Sequence, residues 1–264
     1  MSETLKNWLY PTLTLVAFVT LWDVSVRWLG VPSYLVPLPG SVAQAFWTVY
    51  GNGSILPHLA ATATETMLGF AIGSCVALVV GIVVAESRTV ERFVFPYVVA
   101  LQSMPKVALA PLLIVWFGFG LMSKVVLVAL ICFFPMFVNV VTGLRAARQE
   151  LVDLYRAFSA ARWQILWDVK IPSAAGAIFA GLQVALVLAL LGAVVGEFVA
   201  SQQGLGSLIQ ASSLSFDVPV MFVCIITLAL MGLLASSAVR FAQRRIVFWE
   251  GGGRTGGTTI NERG

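Results

Sequence analysis

Long apolar runs separated by short polar connections dominate the pattern along this chain. Six of these runs are long enough for a helix that crosses a bilayer, which needs about 20 residues, and they cover 8–29, 62–85, 93–119, 124–144, 173–200 and 218–241. The connections between them leave no room for a separate soluble domain. The pattern predicts an all-α polytopic membrane protein over residues 1–250 and a disordered tail over 251–264.

One segment, 150–172, is polar and lies between the fourth and fifth runs. Its apolar residues recur at helical spacing, so we predict an amphipathic helix outside the bilayer. Two interpretations of that helix stay open. It docks into a groove on a partner protein, or it lies flat on the membrane surface.

The third apolar run is interrupted by polar residues and by a proline, at Gln102, Ser103, Pro105 and Lys106. Pro105 removes a backbone hydrogen bond, so it predicts a kink. Polar groups at membrane depth are tolerated where they face protein or a wet cavity. Because a lysine at the centre of a span costs about 2.5–3.5 kcal/mol, Lys106 is expected to face inward or to reach toward a membrane edge.

Glycines four residues apart mark two of the runs, at Gly69 and Gly73 and again at Gly192 and Gly196. Small residues at this spacing let helices approach closely in lipid. The pattern favours packing within the chain over a seam between two copies.

Composition supports a membrane protein, since 59% of the 264 residues are hydrophobic and 11% are charged. Soluble domains carry about 25% charged residues. If the amino terminus is cytoplasmic, 13 of the 16 Lys and Arg residues fall on the cytoplasmic side, which is the bias that sets topology. This predicts that both termini and the 150–172 segment are cytoplasmic, and it explains the net charge of +4 without a nucleic-acid partner.

The three cysteines are widely separated and the single histidine has no second ligand nearby. We therefore expect no disulfide framework and no metal site. The chain also lacks the G-x-x-x-x-G-K-[ST] loop that binds nucleotide phosphates.

The 150–172 segment resembles the cytoplasmic "EAA" loop of permease subunits from bacterial ABC importers. The run from Arg162 to Leu166 and the pair Ile171-Pro172 match the second half of that loop. The first half departs from it, at Asp153, Leu154, Tyr155 and Ser159, where the loop has Glu, Ala, Ala and Gly. The stretch over 101–120 resembles the third helix of permeases of the nitrate, sulfonate and taurine group.

The resemblance implies a permease subunit of the bacterial inner membrane with a coupling helix between spans four and five. Two copies would form a homodimer that docks two separate ATPase subunits and receives solute from an extracytoplasmic binding protein. The coupling residues would be Asp153, Leu154, Tyr155, Phe158, Ser159 and Arg162, with Tyr155 and Phe158 as anchors buried in the ATPase.

In this reading the chain is not an enzyme and binds no cofactor itself, because ATP and Mg²⁺ belong to the ATPase subunit. The candidate pathway residues are Gln102, Ser103, Lys106 and Glu197. Lys106 in a wet pathway would favour a small anion such as nitrate, a sulfonate or taurine. Close relatives of the group carry pyrimidine precursors or riboflavin, so those solutes stay open. The alternative is a self-contained channel or ion-coupled carrier, which would use intramembrane acids such as Glu65 and Glu197.

Overall fold

The computed structural model describes residues 3–249, and every regular element in that range is helical. In chain order, the helices are α1 (Glu3–Trp28), α2 (Pro39–Gly51), α3 (Ile55–Glu86), α4 (Arg88–Ser103), a 3-10 turn (Lys106–Leu109), α5 (Ala110–Phe117), α6 (Leu121–Arg145), α7 (Gln149–Ala157), α8 (Arg162–Ile165), a π-helical turn (Leu166–Lys170), α9 (Ile171–Ala200), α10 (Leu205–Leu214) and α11 (Val218–Ile246). The tail predicted over 251–264 lies outside the described residues.

Helices α3, α6 and α9 pack against one another and form the main core, around Phe137, Val140 and Ala189. Glycines permit the close approach of α3 and α6, because a Cβ built on Gly73 would lie 2.5 Å from the backbone oxygen of Ala129. Gly69 and Gly192 also face side chains of α6, since a Cβ built on them would lie 2.4 Å from Val128 and 2.9 Å from Ile131. The prediction that these glycines serve packing within the chain is confirmed.

Four helical stretches in the described part of the chain are long and apolar enough to cross a bilayer: α3, α6, the continuous stretch 162–199, and α11. A fifth is the broken pair Arg88–Ser103 and Lys106–Phe117, whose two parts meet at 87°. Helix α1 is not among them, so the count of six spans stays a prediction.

The third apolar run, predicted over 93–119, is two helices rather than one kinked helix. The backbone is extended at Met104 and Pro105, after which a single 3-10 turn leads into α5. The break predicted at Pro105 is confirmed, but it is sharper than expected. Since Pro105 also disfavours helical backbone at the preceding residue, the two effects combine to end α4.

The directions of the core helices give the bundle two ends. At one end, which we call the far end, α3 and α6 begin and α9 ends. At the opposite end α3 and α6 finish, α9 begins, and the polar segment lies between α6 and α9. Two ion pairs join elements there, from Lys170 to Glu86 at 2.5 Å and from Arg145 to Glu91 at 2.6 Å.

The prediction of a single amphipathic helix over 150–172 is wrong. The segment is a helical hairpin over residues 149–170, which we call the polar hairpin, and it consists of α7, a turn, α8 and the π-helical turn. The chain turns at 158–161, and apolar residues of α7 pack against apolar residues of the second arm. Helical periodicity continues through the turn in the sequence, which is why the pattern did not reveal it.

Candidate coupling hairpin and transport site

The polar hairpin has a small hydrophobic core of its own. Val152, Ile165 and Val169 are buried, and Tyr155 packs against them. Tyr155 was predicted to be an anchor that a partner protein buries. The structure instead places it half-buried inside the hairpin, because the turn at 158–161 brings α7 against apolar residues of the second arm.

The other predicted coupling residues lie on the outside of the hairpin. Phe158 is 80% exposed at the turn, and Leu154 is exposed on the preceding helical turn. Arg162 and Ser159 are exposed beside it, and Asp153 forms a 3.1 Å ion pair with Arg156. The hairpin therefore presents an apolar surface, Leu154 and Phe158, with charges around it.

Two exposed tryptophans on the second arm, Trp163 and Trp167, were missed as candidates. They lie four residues apart, so they share one helix face. The pattern in the sequence that indicates this exposed aromatic face is the presence of two tryptophans at helical spacing in a polar segment.

At the turn of the hairpin, Ser159 has a backbone conformation that is unfavourable for a residue with a side chain. Ser159 has a φ of 58°, in the left-handed region where a side chain with a Cβ costs about 1–2 kcal/mol. The EAA loop has glycine at this position, so the departure noted in the sequence carries a measurable strain. Ser159 and Ala160 nonetheless close the turn by donating to backbone oxygens of α7, at 2.9 Å to Arg156 and 3.0 Å to Tyr155.

The hairpin is connected firmly to the bundle. Its second arm continues without interruption into α9, as one helical stretch over 162–199. Lys170 binds Glu86 at the end of α3, and the indole of Trp249 donates to the backbone oxygen of Pro172 at 3.3 Å. The second arm of the hairpin and α9 are therefore parts of one continuous helical stretch.

Two of the predicted pathway residues come together beside α6. Gln102 and Lys106 line a cavity of about 350 Å³ with Phe134 and Gly192. The ammonium of Lys106 donates to the backbone oxygen of Gln102 at 3.1 Å and lies 4.4 Å from the centroid of the Phe134 ring. Lys106 is thus half-buried beside a cavity.

The other two predicted pathway residues are elsewhere. Ser103 is exposed and donates to the backbone oxygen of Val99 at 2.9 Å. Glu197 is fully buried and accepts hydrogen bonds from the Thr62 hydroxyl at 2.6 Å and from the Gly206 amide at 2.5 Å. Because these donors enclose its carboxylate, Glu197 faces protein and does not line the cavity beside Lys106.

Glu197 belongs to a buried polar cluster at the far end that sequence reasoning did not assemble. Glu65 and Lys124 form an ion pair there, and Lys124 also donates to the Ser201 hydroxyl at 2.8 Å. A chamber of about 930 Å³ opens beside this pair. Three long helices bring these residues together, so spacing along the chain gives no signal for the cluster.

Comparison with known proteins identifies the family. The model of the binding-protein-dependent transport system inner membrane component matches residues 77–248. The chain belongs to this family. It is therefore a subunit of an ABC transporter in the inner membrane rather than an enzyme, and hydrolysis of ATP resides in a separate subunit.

Curated relatives match nearly the whole chain. The riboflavin transport system permease protein RibX of Chloroflexus aurantiacus is 38% identical and covers 94% of both chains. The formylaminopyrimidine transport permease protein ThiX of Halalkalibacterium halodurans is 32% identical over 91% of this chain and 96% of its own. The taurine transport system permease protein TauC of Escherichia coli is 30% identical over 90% and 88%. The predicted group, importer permeases of the sulfonate and taurine type, is confirmed.

The fold is that of solved importer permeases. An inward-facing structure of the MetNI methionine ABC transporter aligns with a TM-score of 0.64 over 74% of this chain and 94% of its own, at 22% identity. Permeases of this kind work with an ATP-binding subunit and a substrate-binding protein. Family membership supports an importer subunit over the self-contained carrier that the sequence left open.

Proposed function

We propose that two copies of this permease form the translocation pathway for a small solute that carries an anionic or oxygen-rich group, and that each copy docks one ATPase subunit through its polar hairpin. The observation that carries the proposal is Phe158, which is 80% exposed on a hairpin that has its own core and continues into a spanning helix. An exposed aromatic on a rigid mount is the kind of anchor that a groove on a partner buries.

Charge distribution supports the same docking surface. Arg156 and Arg162 stand near the apolar pair Leu154 and Phe158, and Asp153 stands beside Arg156. An apolar centre with a charged rim is typical of protein interfaces. A membrane-surface role would also use the arginines, so removing the aromatic group rather than the charges separates the two interpretations.

The continuous helix would transmit movement of the docked hairpin to the far end of the bundle. Residues 162–199 form one helical stretch, which at 1.5 Å per residue reaches about 57 Å. Movement of the docked hairpin tilts this stretch as a unit, so ATP-driven approach of two ATPases would move its far end, where Glu197 and Ser201 contact α3 and α6. Rigid tilting of packed helices is an established way to switch a bundle between two states.

The proposed solute contact is Lys106. Its ammonium borders the 350 Å³ cavity together with the Gln102 side chain, and a cation there favours an anion or an oxygen-rich group. Gln102 is retained as a second contact, whereas Ser103 and Glu197 do not line this cavity. Taurine, the solute in the name of TauC, carries sulfonate oxygens. Riboflavin and formylaminopyrimidine, the solutes in the names of RibX and ThiX, carry carbonyl oxygens.

The decisive test of docking is co-purification of the ATPase encoded with this permease. The Phe158→Asp variant should lose the ATPase while it still inserts into the membrane, because the aromatic anchor is replaced by a charge. The matched control is Leu214→Asp, since Leu214 is 81% exposed but lies at the far end. Loss of about 2 kcal/mol, a usual cost for an anchor residue, lowers the affinity about 30-fold.

Retention of the ATPase by Phe158→Asp at wild-type affinity would overturn the docking role of the hairpin. Equal loss in both variants would mean that an added charge, rather than the lost anchor, disrupts the complex. Blue-native electrophoresis of the same samples reports the copy number, which we propose is two permeases with two ATPases. Cross-linking to a co-encoded binding protein should occur only at the end opposite the hairpin.

A further inference from the structure

The cavity beside Lys106 contains one charged residue among apolar ones. Lys106 and Gln102 are its polar lining residues, and Val107, Leu188 and Leu191 are among the apolar residues that form the rest of the wall. Its volume of about 350 Å³ lies at the lower end of the range for small-molecule sites, roughly 300–1,000 Å³. Such sites are mostly apolar, with a few polar groups that orient the ligand.

The ammonium group of Lys106 has hydrogen-bond donors to spare. It carries three N–H groups, and it donates to the backbone oxygen of Gln102 at 3.1 Å. No carboxylate within residues 3–249 forms an ion pair with it. The ring of Phe134, whose centroid is 4.4 Å away, stabilises a cation without neutralising it. The cavity therefore keeps a positive charge, which attracts an anionic or carbonyl oxygen.

The wall has no group that would bind a second positive charge. None of the residues that line the cavity is acidic. An ammonium group on a solute would lose its water shell beside Val107 or Leu191 and would gain no charged partner. Lys106 would also repel it. The cavity therefore disfavours a solute that carries its own cationic group.

The apolar residues favour an uncharged body attached to the anionic or carbonyl group. Leu191 is 58% exposed and Val107 is 49% exposed, so both side chains are open to contact. Gly192 keeps space free in the same wall, because a Cβ built on it would lie 2.9 Å from Ile131. Apolar surface that a solute brings into this cavity is removed from water, which favours binding.

We propose that the Lys106 cavity selects solutes with one anionic or carbonyl-bearing head and an uncharged apolar body, and that it discriminates against zwitterions. The head binds the ammonium of Lys106 and accepts a second hydrogen bond from the Gln102 amide. The body lies against Val107, Leu188 and Leu191. This inference rests on the proposed function, because it names the class of solute at the pathway site proposed above.

The test measures the binding of four probes to purified permease in lipid nanodiscs, without an ATPase, by isothermal titration calorimetry. Ethanesulfonate and taurine share a two-carbon sulfonate, and taurine adds an ammonium group. Methanesulfonate and benzenesulfonate share a sulfonate and differ in the apolar body. We expect taurine to bind about tenfold more weakly than ethanesulfonate. We expect benzenesulfonate to bind about tenfold more tightly than methanesulfonate.

Leu191 and Val187 provide a matched pair of variants. They lie one turn apart on α9 and are both 58% exposed, but only Leu191 lines the cavity. The Leu191→Asp variant places an acid in the wall, so it should reverse the preference and bind taurine more tightly than ethanesulfonate. The Val187→Asp variant should keep the wild-type preference. A reversal in both variants would place the binding site outside this cavity and overturn the proposal.

The wild-type measurements are decisive without any variant. Equal affinity for taurine and ethanesulfonate overturns the discrimination against zwitterions, and equal affinity for methanesulfonate and benzenesulfonate overturns the apolar body. Absence of binding by all four probes at millimolar concentrations also overturns the proposal.

The Lys106→Met variant separates failure of this inference from failure of the proposed function. It should weaken the binding of all four probes. If wild type binds taurine and ethanesulfonate equally but the variant binds neither, Lys106 remains the solute contact and only the inferred class is overturned. If the variant binds benzenesulfonate as tightly as wild type does, the probe occupies an apolar groove suited to lipid chains, and both the inference and the proposed contact are overturned.

Discussion

Lys170 and Glu86 meet at 2.5 Å, so the second arm of the polar hairpin is tied to the last residue of α3. Lys170 lies where the hairpin runs into α9, and Glu86 closes the helix against which α6 packs. Both side chains are partly buried, where an ion pair is screened less than on the surface. The pair thus links the junction between the proposed docking element and α9 to the core helix α3.

Breaking this link should uncouple transport from ATP hydrolysis. We expect the Glu86→Gln variant to reduce solute uptake per ATP hydrolysed about fivefold, since a coupling free energy of about 1 kcal/mol is lost. The measurement is paired uptake and phosphate release in reconstituted vesicles. The matched control is Glu91→Gln, which removes the Arg145–Glu91 pair at the same end without touching the hairpin. Failure of the exchange Glu86→Lys with Lys170→Glu to restore coupling would contradict the role of the pair.

The strained turn predicts a stabilising substitution. Replacing Ser159 by glycine removes the cost of a Cβ at a φ of 58°, partly offset by the greater freedom of glycine in the unfolded chain. We expect Ser159→Gly to raise the unfolding temperature by about 2–4 °C. Thermal unfolding in detergent measures it. Ser213→Gly, in the last turn of α10, should lower it because no positive φ is present there to relieve. A lower temperature for Ser159→Gly would count against strain.

Orientation in the membrane follows from the charge bias and is open to direct labelling. In a background without native cysteines, the Ala161→Cys variant should react with an impermeant maleimide only in inside-out vesicles. Ala161 is exposed at the turn of the hairpin, so access is not limited by packing. The Ser213→Cys variant should react only in right-side-out vesicles. The reverse pattern would invert the topology and remove the hairpin from the cytoplasm.

Lys106 should affect uptake more than ATP hydrolysis. The Lys106→Met variant keeps much of the side-chain volume but removes the ammonium over the Phe134 ring. We expect uptake of the solute that the wild-type transporter carries to fall about tenfold, equivalent to about 1.4 kcal/mol, with ATPase activity retained. Lys106→Arg should preserve most uptake, because a guanidinium also stacks on an aromatic ring. Equal uptake by wild type and Lys106→Met would exclude Lys106 from the pathway.

The sequence by itself determined the spanning stretches α3, α6 and α11, the break at Pro105 and the tight glycine contacts of α3. Each of these follows from local properties: the length of an apolar run, the missing amide of proline, or the absence of a side chain at regular spacing. The segments that resemble importer permeases also lie within single stretches of the chain.

Only the tertiary structure decided the turn at Ser159, the inward position of Tyr155 and the cluster of Glu65, Lys124 and Glu197. Periodicity reports which face of a helix is apolar, but it does not report how far each helix is rotated or which helices are neighbours. The cluster depends on both, because α3, α6 and α9 each contribute one charged residue. A charge that looks isolated along the chain is therefore paired once the helices pack.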